Sequence, residues 1–181
     1  MLSKRFKPVV YAARKAYVEL MFQVIGRALE ASSKSDEQIR REVSKLPKGL
    51  TFEMKVMPDG SGLVVRHEGD GVFRYLGGSI PGKVDLSVQF KHIQHAFMVF
   101  SFQEKTAVSF ANDRILVDGE VSYAIRMVRI LNRVESFILP KVIASHAVKE
   151  YPADLQLPEK LLSAARIYLK TVNLFFDREH A

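Results

Sequence analysis

At 181 residues without a cysteine, the chain can bury one sizeable domain and cannot use disulfides, thiolate metal sites or a cysteine nucleophile. Its net charge of +7 is concentrated near the start, where residues 1–48 hold eleven of the 27 Lys and Arg but only five of the 20 acids. Such a basic stretch suits an anionic membrane surface or nucleic acid, with a solvated helix face as the plain alternative, and nucleic acid is the least expected.

No apolar run reaches the roughly 18–20 residues of a membrane span. Arg14 and Lys15 interrupt the apolar stretch behind the basic start, so a secretory leader is not expected either and the chain is assigned to the cytoplasm. Apolar residues at 6, 9, 10, 13, 16, 17, 20, 21, 24, 25 and 28 follow a helical period and predict a long amphipathic helix from Phe6 to about Leu29. Ser35 with Gln38 predicts a capping box for a second helix that ends near Pro47. Residues 1–48 form a basic helical arm on this reading.

The period then becomes two. Leu50, Phe52, Met54 and Val56 predict a half-buried strand, Pro58-Asp59-Gly60 a turn, and 62–68 and 72–76 two further strands. Val84, Leu86, Val88 and Phe90 alternate with Asp85, Ser87 and Gln89 in a fourth strand, and the three short connections predict an antiparallel meander. Ile93, Ala96, Phe97 and Phe100 then share one helical stripe, and a short helix is expected over 104–111. A fifth strand near 114–117 meets Asp118-Gly119-Glu120, with Asp118 as the N-cap of a helix running to about Leu139. Beyond a loop at 151–158, Glu159 to Phe176 predicts a last amphipathic helix, so 49–150 would hold the central domain and 151–181 a terminal element.

Few motifs point to chemistry. Phosphate-binding loops need more glycines than Asp118-Gly119-Glu120 offers, and two carboxylates there would repel an anion. His92 and His95 share a helix face but lack the third ligand of a zinc site, so no metal and no cofactor is expected. Glu53 and Asp85 alternate outward, which predicts ordinary acidity, and no nucleophile motif accompanies them; no catalytic residue is assigned. Lys4, Arg5, Lys7, Arg14 and Lys15 of the arm are candidates for contact with lipid headgroups. So is the stripe Arg126, Arg129 and Arg133, whose plain alternative is again a solvated face. The aromatic and Met-rich helices around the last two strands enclose either a filled core or an apolar cavity.

Two stretches, V-D-L-S-V-Q-F-K-H-I-Q-H-A-F and A-N-D-R-I-L-V-D-G-E-V-S-Y-A-I-R, resemble the sterol carrier protein type 2 domain, the sterol-binding or lipid-transfer family, over about residues 50–135. The resemblance implies an α+β fold with a five-stranded, mainly antiparallel sheet covered by helices on one face, plus extra terminal helices. It further implies an internal hydrophobic cavity for a fatty-acyl, sterol or isoprenoid type of ligand, to be carried or presented. Phe90, Phe97, Phe100, Phe110, Ile115, Val117, Met127 and Ile130 are the expected lining. Partners on this reading are the lipid, an anionic membrane surface and a lipid-metabolising enzyme. Two rivals are a membrane-peripheral scaffold with a filled core and an enzyme acting on a lipid-like substrate.

Overall fold

The computed structural model describes residues 6–58, 60–101 and 103–138, with side chains between Tyr11 and Glu135. The expected helix at 159–176, Lys4, Arg5 and the side chain of Lys7 lie outside the described residues. The chain runs α1 (Phe6–Ser35), α2 (Glu37–Val43), β1 (Thr51–Val56), β2 (Gly62–Gly69) and β3 (Val72–Gly77). It continues through β4 (Leu86–Phe90), α3 (Ile93–Phe100), α4 (Thr106–Ala111), β5 (Ile115–Gly119) and α5 (Val121–Ile138).

The five strands form one sheet in the order β3-β2-β1-β4-β5. Three pairings are antiparallel and one, β1 with β4, is parallel. The expected meander therefore stops after three strands: β4 passes β2 and pairs with the far side of β1. The connection over 78–85 permits this, since eight residues reach as far as roughly 26–29 Å and three strand spacings amount to about 15 Å. Asp85 fixes the parallel register, accepting the Thr51 backbone N–H at 2.7 Å and its hydroxyl at 2.8 Å.

Strand register places Phe52, Met54, Val56, Leu63, Val65, Phe73, Leu86, Phe90 and Ile115 on one face, all buried under the helices. α1 supplies the opposite half of this core through Val18, Met21, Phe22, Ile25 and Leu29, and packs on β2, β3, α2, α3 and α5. From Tyr17 onward it is a central core helix and not an arm. The apolar period that predicted an amphipathic helix could not show that its apolar face meets the sheet. Gly26 lets α1 come close, because a Cβ there would lie 2.4 Å from the Tyr75 ring.

α1 also covers the β3 edge. Ser33 Oγ accepts the Phe73 N–H at 2.9 Å and Glu30 accepts the Tyr75 N–H at 2.8 Å. Donors that could recruit another strand are thus occupied, which guards this edge against aggregation. The edge at β5 is treated differently, and the candidate site lies there.

Candidate functional site

The apolar face of the sheet is covered unevenly. Val88 and Val117 are cross-strand partners on that face, in line with Leu86 and Phe90. Yet Val88 is only half-buried and Val117 is 42% exposed, although Phe90 and Ile115, the next pair along, are buried. The arrangement of the described helices accounts for this: α3 packs on α1, and α5 packs on α1 and α2, so that among the described residues the β4–β5 corner has little cover. Tyr123 and Ala124 of α5 pack against the core, half-buried, on the helix that follows β5 after a single residue, Glu120. α4 adjoins β5 and exposes Val108 and Phe110. An apolar corner open to solvent is costly to leave bare and marks a binding surface more often than an isolated exposed Leu does.

The expected lining residues divide. Phe90, Phe97, Phe100, Ile115, Met127 and Ile130 are buried, whereas Phe110 and Val117 lie at the surface. The buried aromatics interlock edge-on: Phe100 meets Phe22 at 5.1 Å and Phe90 at 5.4 Å between ring centres, and Tyr17 meets Phe97 at 5.5 Å. Tyr17 also donates its hydroxyl to the Phe100 carbonyl at 2.9 Å, and burial pushes its pKa up to about 12. Val88, which no helical stripe singles out, joins the corner only because β5 pairs beside β4.

The arginine stripe does not stand free. Arg133 grips Asp36 with two bonds of 2.9 and 2.7 Å, Arg126 reaches Glu42 at 3.1 Å, and Arg129 lies 3.9 Å from Glu42. Two of the three therefore clamp α5 to α2 rather than face outward; sequence spacing showed their common side but not the carboxylates on another helix. A polar groove of about 390 Å³ runs along this clamp, lined by Arg41, Glu42, Lys45 and Arg129 among others. A second groove, about 410 Å³, lies between Glu19, Arg27 and Tyr75. Of the arm candidates, Lys15 is exposed, and Arg14 stacks on the Phe97 ring at 5.3 Å.

Asp36, and not Ser35, caps α2: its Oδ1 accepts the Ile39 N–H at 2.9 Å. The bond from Arg133, with the helix amides, holds its carboxyl below the usual range, and Lys45 does the same for Glu42. Groups with depressed folded-state pKa contribute stability above their unfolded values and lose it as pH falls through the folded ones. Stability is accordingly expected to hold down to about pH 4 and to drop below it. Asp36→Ala should cost about 2 kcal/mol through loss of cap and ion pair together. Asp36→Asn keeps the cap and should cost about half as much, with a weaker acid dependence. Urea melts at several pH values read both; equal costs would remove the ion pair from the account.

The two strand-region carboxylates also depart from expectation. Glu53 is buried on the reverse face, accepting the Ser87 hydroxyl at 2.9 Å and lying 2.9 Å from Lys55 Nζ. Asp85 is exposed but anchored, and the Thr51 backbone N–H, then its hydroxyl, holds its carboxyl below the ordinary range. Alternation marked the reverse face correctly and could not reveal the neighbours there. The histidines serve α3: His92 accepts the Gln94 N–H at 3.1 Å as N-cap, and its ring stands edge-on to His95 at 6.0 Å. Among the described residues no three His, Asp or Glu side chains converge as a metal set. No described helix is long and apolar enough to cross a membrane.

No protein-family model and no curated protein sequence matches the chain. Solved structures do. A ubiquinone synthesis protein, UbiJ-SCP2, matches with 14% identity and a TM-score of 0.43, over 71% of this chain and 98% of the other. The sterol carrier protein domain 2 of Helicoverpa armigera matches with 18% identity and a TM-score of 0.44, over 64% and 87%. Sterol carrier protein 2 of Yarrowia lipolytica in its apo form gives 14%, 0.44, 64% and 92%. The chain resembles sterol carrier protein 2 domains, with a mixed five-stranded sheet and helices in an α+β arrangement.

Proposed function

We propose that the protein binds a lipid-like apolar ligand at the β4–β5 corner and presents or transfers it, without catalysis. The observation that supports this reading is the half-exposed Val88–Val117 pair on an otherwise buried apolar face. Tyr123 and Ala124 would wall the ligand on the α5 side and Phe110 on the α4 side. The ligand would lie along the open corner, its tail against the two valines, while the interlocked Phe90, Phe97 and Phe100 support the floor from beneath. Each methylene buried contributes about 0.8 kcal/mol, roughly a fourfold gain in affinity, so binding should tighten steeply with chain length.

Two substitutions on one strand test the placement. Val117 points to the apolar face and Leu116 to the reverse face, and both are partly exposed. Val117→Asp puts a charge where the tail would lie and should weaken uptake of a fluorescent fatty acid by a factor of ten or more, at about 1 kcal/mol in affinity per 5-fold. Leu116→Asp should leave uptake unchanged. Equal loss in both, or in neither, rejects the corner as the site.

A further inference from the structure

α5 carries a second apolar face that the core does not use. Met127, Ile130 and Val134 point inward and are buried. Val121, Ile125 and Val128, at i, i+4 and i+7, form another line, and they are 71%, 50% and 54% exposed. Branched residues on a solvated helix face lose rotamer freedom without gaining burial, so this line suits contact with something apolar. Arg129, one turn beyond Ile125, stands beside it with 63% of its side chain exposed. The neighbouring Arg126 and Arg133 are held to α2 by Glu42 and Asp36, which turns the basic flank and the apolar line in fixed directions.

We infer that this outer face of α5 docks the protein on an anionic lipid bilayer. An apolar line edged by cations is the pattern of helices that lie in a membrane interface. Acids are few on the helix itself: Glu135 near its end, with Asp118 and Glu120 ahead of its start. The chain's surplus of seven positive charges favours approach to the same surface. The face also begins next to the corner, because Val121 opens α5 a single residue after β5 ends at Gly119. A ligand leaving the corner would then enter the bilayer without crossing water. This inference rests on the ligand reading for its purpose, but its test does not.

The chain has no tryptophan, so Ile125→Trp in the full chain gives one reporter on the face in question. Vesicles of phosphatidylglycerol and phosphatidylcholine should shift its emission to the blue, lipids brominated near the headgroup should quench it, and added salt should reverse both. Tyr11→Trp, exposed on α1, should remain unshifted. Arg129→Glu placed on Ile125→Trp should abolish the shift. Unshifted Ile125→Trp emission, whether or not the protein sediments with vesicles, overturns the inference. Fluorescent fatty-acid uptake, measured without vesicles, stands apart: retained uptake with no shift sinks docking alone, and a shift with no uptake sinks the ligand reading alone.

Discussion

Phe100→Ala is expected to destabilise the protein by roughly 3–5 kcal/mol. The ring closes the end of α3 and is 5% exposed. It stands edge-on to Phe22 of α1 and to Phe90 of β4, so three elements meet on it. Each such aromatic pair contributes about 0.5–1.5 kcal/mol beyond burial, and the surrounding rings, fixed from two sides, cannot collapse into the space left. A domain of ordinary stability has about 5–15 kcal/mol in total, so the variant should unfold at markedly lower urea. Phe100→Leu, which keeps most of the volume, should cost far less, about 1–2 kcal/mol. The pair of melts also bears on function. A loss below about 1 kcal/mol for Phe100→Ala would mean that the ring faces open space, as an internal cavity requires, and would move the ligand from the β4–β5 corner inward.

Gly119→Ala is the second large effect, expected at about 3 kcal/mol or more. Gly119 ends β5 opposite Leu86 with φ at +135°, backbone that side chains seldom adopt. A Cβ there would lie 2.5 Å from the Asp85 carbonyl oxygen and 3.0 Å from Leu86 Cα. Both are backbone atoms, so no rotamer change relieves the contact; either β4 and β5 part or α5 tilts. Gly82 separates the causes, since its φ is +97° and nothing lies within 4 Å of its would-be Cβ. Gly82→Ala should therefore carry only the conformational strain, about 1–2 kcal/mol. If both variants melt alike, the close approach at Gly119 is not real. Because Gly119 sets where α5 leaves the sheet, fatty-acid uptake should fall in Gly119→Ala in parallel with stability.

These outcomes bear on how a sheet with helices on one side makes room for a ligand. α5 is tied to α2 by Arg126 and Arg133 and to α1 by its buried stripe. So tied, α5 packs on α1 and α2, and among the described residues Val88 and Val117 stay part-exposed. A clamp that holds a helix off a surface is as much part of a binding site as the residues of that surface.

What the sequence by itself determined is local. Period-3.6 and period-2 patterns placed all five strands and the helices flanking them, because an amphipathic segment must repeat its apolar side chains at its own backbone period. The stripe of Ile93, Ala96, Phe97 and Phe100 is the buried face of α3, and Gly119-Glu120 is the corner from strand to helix, Asp118 being paired with Ser87 inside β5 rather than capping α5. What only the tertiary structure decided is pairing between distant segments. That β4 joins β1 in parallel, that Glu53 is buried by Ser87, that Asp36 and Glu42 receive the arginines of α5, and that α1 is core all depend on partners 34 to 97 residues away. A side chain's period states which way it points on its own element. It carries no record of what the fold brings opposite, and at the β4–β5 corner the described elements leave two valines part-exposed.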